Sequence, residues 1–84
     1  MHTGPVEGKY QAKIHQLREE AFSKQDGLCF WCWTPMLAWG NGRHWNDPDV
    51  CTAEHLIKKA NGGRATAGNI VAAHKSCNEK RGRR

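Results

Sequence analysis

The sequence predicts a small α+β domain held together by a metal staple, and three observations predict it. Apolar residues recur at helical spacing near the N-terminus. Two short strand-like runs follow a middle rich in glycine and aromatic residues. Two ligand pairs, Cys29-x-x-Cys32 and His74-x-x-Cys77, bracket that middle. With 84 residues the chain has room for one domain, and a domain this small hides only about 60% of its unfolded surface. Apolar residues make up 38% of the chain and aromatic residues 8%, so the core is thin and a staple is expected.

Residues 1–4 are expected to form a disordered lead, and residues 5–84 the single domain. Over 5–25, Val6, Tyr10, Ile14, Leu17 and Ala21 recur at spacings of four or three, the stripe of an amphipathic helix. Pro5 suits a first helical turn, and Asp26-Gly27 ends the helix. Residues 28–36, within GLCFWCWTPM, read as a tight knuckle. Residues 37–49 are a loop with the turn chemistry of Asn41-Gly42 and Asn46-Asp47-Pro48, decorated by Trp39, Arg43, His44 and Trp45. The tryptophans there cover the small core or stack on bases. Residues 50–57 read as a strand, 58–68 as a basic glycine-bearing loop, and 69–73 as a short apolar strand or turn. From Lys75 a short helix follows, ending in a basic tail over 80–84. No internal repeat, linker or low-complexity segment interrupts this order.

The formal net charge is +5, which favours a polyanionic partner, because cations that neutralise phosphates release condensed counterions. Lys75, Lys80, Arg81, Arg83 and Arg84 crowd the last ten residues with only Glu79 against them. A solvated, frayed tail accounts for that run equally well. No stretch approaches the roughly 20 apolar residues of a membrane span, and the opening MHTGPVEGKY lacks the apolar centre of a signal peptide. A cytoplasmic setting is expected, where thiols stay reduced and a Cys-x-x-Cys pair points to metal or redox chemistry.

Zinc takes four nitrogen or sulfur ligands in a tetrahedron, and a two-residue gap lets one turn present two of them. Cys29, Cys32, His74 and Cys77 therefore read as one structural zinc site clamping the two halves of the chain. A thioredoxin-like redox pair needs a βαβ setting that is missing here, and a disulfide framework does not suit the compartment. Cys51 is a spare thiol: either a small buried residue at a strand start or a substitute for His74 as fourth ligand.

The remaining polar residues fall in a telling order. Glu54-His55 is followed by Asn69 and then by Asn78, directly after the last cysteine of the zinc set. Taken with C29-F-W-C32, T52-A-E54-H55-L-I, G62-G63, N69-I-V and H74-K-S-C77-N78-E-K, this resembles the HNH endonucleases with their ββα-metal finger. The likeness covers about two-thirds of the chain. Singly, each residue has a plain reading: Glu54 a solvated strand residue, His55 a surface or core histidine, Asn69 a turn cap, Asn78 an exposed helix position. Their joint order and spacing carry the resemblance.

The resemblance implies roles position by position. His55 is the general base that takes a proton from the attacking water. Asn69, the middle asparagine, braces the loop between the strands and helps hold that base. Glu54, where relatives more often have Asp, and Asn78 are ligands of a catalytic divalent ion, Mg²⁺ or Mn²⁺ foremost. His74 stands where relatives usually have cysteine, as a zinc ligand. Lys58, Lys59, Arg64, Lys75, Lys80, Arg81, Arg83 and Arg84 are the candidates for the DNA backbone, with Lys58-Lys59 standing where relatives often have proline.

The implied activity is metal-dependent hydrolysis of double-stranded DNA with little sequence preference, leaving 5′-phosphate and 3′-hydroxyl ends. A monomer of this kind nicks and a homodimer cuts both strands. The implied setting is a bacterial or phage-infected cell, with packaging or restriction proteins as partners. For Glu54 and His55 to reach one phosphate from adjacent strand positions, a twist or bulge at the strand end is expected. A non-catalytic zinc-stapled DNA-binding module is the alternative, and a protein-interaction domain using the tryptophan loop is a third.

Overall fold

The computed structural model describes residues 4–82, with side chains over 12–81. Helix α1 spans Gly4–Lys24, strand β1 Cys51–His55, strand β2 Ile70–His74 and helix α2 Lys75–Gly82. This is the α+β order that the sequence predicts. Gly4, expected in the lead, is the first residue of α1. Residues 1–3 and the side chains of Val6 and Tyr10 lie outside the described residues.

In the rest of the helical stripe, Ala21 is buried and Ile14 and Leu17 are half-buried. Arg18, charged and off the apolar pattern, is buried as well. Its guanidinium lies over the Trp39 ring at 4.5 Å and pairs with Glu19 at 3.1 Å. The indole face takes the place of an apolar neighbour and compensates the charge. Trp39 thus packs against the helix, with His15 at its edge. Helix α1 stops where Asp26 and Gly27 both adopt positive φ. The Gly27 N–H donates to the Phe22 carbonyl at 2.9 Å, satisfying one of the orphan carbonyls of the last turn.

Just past that end, Gln25 clamps the sheet to the helix. Its Nε2 donates to the Ala72 carbonyl at 2.9 Å, while its Oε1 accepts from the Ala72 N–H at 3.0 Å. The two strands pair antiparallel, from Cys51↔His74 to His55↔Ile70. A two-stranded sheet is marginal alone; here α1 packs on both strands and α2 on both as well. The knuckle joins through Leu28↔Pro35, and the following loop through Leu37↔Val50. The strand expected over 50–57 is shorter, because Leu56 and Ile57 turn into the loop that Asn69 gathers.

Apart from Met36, the core cluster is built from small side chains: Ala21, Cys29, Cys51, Ala72 and Ala73. The largest fully buried side chains are Val50, Cys29 and Cys51. Such a core supplies modest hydrophobic stabilisation, which is why the metal staple matters. No helix among the described residues is long and apolar enough to cross a membrane.

Candidate active site and metal centre

The staple is formed where the knuckle meets the junction of β2 and α2. Strand β2 ends on His74, and α2 begins at Lys75, so one strand-to-helix turn presents His74 and Cys77 together. The knuckle presents Cys29 and Cys32, its chain reversed by Trp33, whose φ is 61°. Cys29 N–H donates to the Thr34 carbonyl and Trp33 N–H to the Cys29 carbonyl, each at 2.9 Å.

One ligand atom from each of Cys29, Cys32, His74 and Cys77 lies within 4.8 Å of the others. The Cys32 and Cys77 sulfurs are 3.9 Å apart, and His74 Nδ1 sits 3.3 Å and 3.7 Å from them. A zinc tetrahedron with Zn–S of ~2.3 Å and Zn–N of ~2.0 Å demands edges of about 3.8 and 3.5 Å. The four residues form a Cys₃His zinc-binding site. On the far side of the imidazole, His74 Nε2 lies 2.9 Å from the Pro35 carbonyl. That bond fixes the tautomer with Nδ1 facing the ion, as ligating histidines require. Backbone N–H groups of Trp31 and His74 point at the Cys29 sulfur, each at 3.4 Å. Cys51 stands outside this cluster. It is buried at the start of β1, and burial pushes its thiol up to about 12, so it stays a neutral core residue and does not replace His74.

Glu54, His55 and Asn78 line a single cleft of about 160 Å³ together with Ala53, Lys58 and Lys59. The elements explain the convergence. Strand β1 delivers Glu54 and His55 at its end, the loop returns Lys58 and Lys59, and α2 lays Asn78 across β1. Asn78 Nδ2 donates to Thr52 Oγ1 at 3.1 Å and to the Ala53 carbonyl at 3.2 Å, which leaves Oδ1 as its remaining ligand atom. Of the twist or bulge expected at the strand end, no bulge interrupts the pairing register through His55. The two neighbours share one cleft because it lies at the end of the strand, where the loop closes over it.

His55 has an enclosed Nε2 with no hydrogen-bond partner. Burial pulls its pKa below the ordinary value, the nearby Lys59 charge adds to that, and Glu54 opposes it. The imidazole is therefore neutral near pH 7, as a proton acceptor must be. Glu54 is only 3% exposed, and its Oε2 accepts a hydrogen bond from Arg81 Nε at 2.7 Å. A guanidinium on that carboxylate is a stand-in cation. The oxygen donors of Glu54 and Asn78 fit a hard divalent ion, and the unpartnered nitrogen of His55 stays available to accept a proton.

Asn69 is not among the residues that line this cleft. Its Oδ1 accepts from the Ile57 N–H at 2.7 Å, and its Nδ2 donates to the carbonyls of Ile57 at 3.0 Å and Arg64 at 2.9 Å. It is a clasp on the loop that follows His55. Gly63 sits inside the clasp, where a Cβ would collide with the Ile57 carbonyl and press on Asn69 Nδ2; the two glycines at 62–63 are explained by that contact and by the positive φ of Gly62.

The expected DNA-contacting residues divide. Lys58 and Lys59 line the cleft. Arg64 and Lys80 are exposed. Lys75 pairs with Glu79 at 2.7 Å. Arg81 points inward to Glu54 and the Leu56 carbonyl and is not a simple surface contact. Arg83 and Arg84 lie outside the described residues. Sequence reasoning missed the Arg81–Glu54 pair, although a glutamate buried in a strand is itself a signal that a cation must be near. It also missed Trp31 and Trp33 on the knuckle, which are exposed alongside Trp45.

A family model described as HNH endonuclease matches residues 40–84, more than half of the chain. No curated protein and no solved structure matches it.

Proposed function

The chain belongs to the HNH endonuclease family, and on that premise we propose that it hydrolyses DNA phosphodiesters with His55 as general base. The observation that carries this reading is the convergence of Glu54, His55, Asn78, Lys58 and Lys59 on one cleft. A phosphodiester is an anion that repels hydroxide, so its hydrolysis needs a local base and charge neutralisation. Neutral His55 removes a proton from water as the water oxygen bonds to phosphorus. The P–O3′ bond breaks, the 3′ oxygen takes up a proton, and the products are a 5′-phosphate and a 3′-hydroxyl. Lys58 and Lys59 draw the backbone into the cleft.

Glu54 and Asn78 are the residues that would hold a divalent ion, Mg²⁺ or Mn²⁺. Bound there, it supplies Lewis-acid stabilisation of the charge that develops on phosphate and leaving oxygen. Asn69 acts as a positioning residue, holding the loop that carries Lys58 and Lys59 against the end of β1. Arg64 and Lys80 are contacts to the backbone outside the cleft; Lys75, Arg83 and Arg84 belong to the basic C-terminal run of the sequence. None of these cations reads bases, so little sequence preference is expected.

The Glu54–Arg81 pair favours a second reading, a zinc-stapled DNA-binding module in which Glu54 is only an ion-pair partner. A plasmid assay separates the two. With Mg²⁺ or Mn²⁺, the zinc-loaded protein is expected to convert supercoiled DNA to open circle, and to stop when EDTA removes the weakly held ion. Binding to a labelled duplex without conversion under any divalent ion would establish the module instead.

A further inference from the structure

Glu54 is a carboxylate almost wholly removed from water, and an uncompensated charge in such a place is strongly destabilising. Arg81 compensates it and is itself held by three contacts. Its Nε donates to Glu54 Oε2 at 2.7 Å, an Nη donates to the Leu56 carbonyl at 3.0 Å, and its guanidinium lies 4.4 Å from the centre of the Trp31 ring. Arg81 is not sealed in: its side chain keeps 29% exposure. It also lines an adjoining cavity of about 250 Å³ with Trp31, Cys77 and Lys80. The guanidinium therefore stands between two spaces, with the carboxylate cleft on one side and an open, indole-floored cavity on the other.

We propose that Arg81 is the resident counter-ion of Glu54 and is exchanged for the divalent ion when the cleft is loaded. The inference rests on the reading of Glu54 as a ligand of that ion. In the metal-free chain, Arg81 keeps the buried carboxylate paired and holds α2 against β1. A guanidinium and a divalent cation on the same buried carboxylate repel each other strongly at such distances. Taking up the ion therefore displaces Arg81 toward the adjoining cavity, where Trp31 still stacks on it and Lys80 stands beside it. There its charge faces an incoming phosphate.

The test is a Mn²⁺-binding titration of the zinc-loaded chain, followed by the electron paramagnetic resonance signal of free Mn²⁺. Removing the competing cation in Arg81→Gln is expected to tighten Mn²⁺ binding by at least about tenfold. In the same variant the urea midpoint falls without Mn²⁺ and recovers at saturating Mn²⁺. Equal or weaker Mn²⁺ binding by Arg81→Gln overturns the exchange.

A second measurement needs no variant. In wild-type protein titrated with Mg²⁺, the Arg81 Nε–H resonance, held by the carboxylate, is expected to shift and to exchange faster with water. An unmoved resonance at saturating Mg²⁺ also overturns the proposal. Glu54→Gln separates this failure from that of its premise. If Glu54→Gln binds Mn²⁺ as wild type does, Glu54 is not a ligand and both readings fall. If it loses binding while Arg81→Gln gains none, the exchange alone fails.

Discussion

Replacing Asn69 with alanine removes three hydrogen bonds at once, at 2.7, 2.9 and 3.0 Å, all to the backbone of the loop after His55. Each such bond contributes about 0.5–1.5 kcal/mol net, and partners left unpaired in a buried setting cost more. Ile57 and Arg64 are exposed as residues, so water recovers part of the loss. The expected destabilisation is about 2–4 kcal/mol, and for a domain of this size each kcal/mol lowers Tm by roughly 4–8 °C. Urea denaturation followed by tryptophan fluorescence reads the difference directly.

Asn69→Asp sharpens the test, since it has the same shape and keeps the acceptor for the Ile57 N–H. It nevertheless turns both donated bonds into an oxygen facing two carbonyls, and it is expected to destabilise as much as alanine does. Gly63→Ala attacks the same clasp from inside and should behave likewise. If Asn69→Ala unfolds within about 0.5 kcal/mol of wild type, the range of an inconsequential surface change, the clasp is not what holds the loop and the reasoning fails.

Further outcomes concern the zinc site and the pH dependence. Protein purified without added zinc should carry one zinc ion per chain. Cys29→Ser should unfold it, because structural zinc supplies an apparent ~10–16 kcal/mol, comparable with the whole stability of a small domain. Cys51→Ser should retain the metal; atomic absorption and circular dichroism decide both. The rate of plasmid nicking should rise with pH through the pKa of His55, with the acid limb below the ordinary value of 6.5 because burial and Lys59 disfavour the imidazolium. Lys59→Ala removes one of those influences, so its acid limb should move to higher pH. A limb that stays in place under Lys59→Ala would show that another group controls the rate.

Much of the fold was legible because it rests on local periodicity and short spacings. Ile14, Leu17 and Ala21 mark the buried side of α1, and the two-residue gaps of Cys29/Cys32 and His74/Cys77 are what one turn can present to one ion. The contacts between distant parts of the chain were not legible. Gln25 clamping Ala72, Arg18 under Trp39 and Arg81 on Glu54 join residues with no spacing pattern between them. Each polar partner of these three pairs reads in isolation as an ordinary surface residue. The twist or bulge expected at the strand end came from treating strand neighbours as facing apart. The cleft solves that problem at the end of the strand, with the loop and α2 supplying its other walls.

The most direct test of the account compares His55→Ala with wild type in single-turnover cleavage of supercoiled plasmid at saturating Mn²⁺. Zinc content and duplex binding are measured on the same samples. The account predicts that the variant keeps its zinc and its salt-sensitive DNA binding but loses cleavage by about 10²–10⁴-fold, the usual worth of a general base. Cleavage by His55→Ala at the wild-type rate would contradict it.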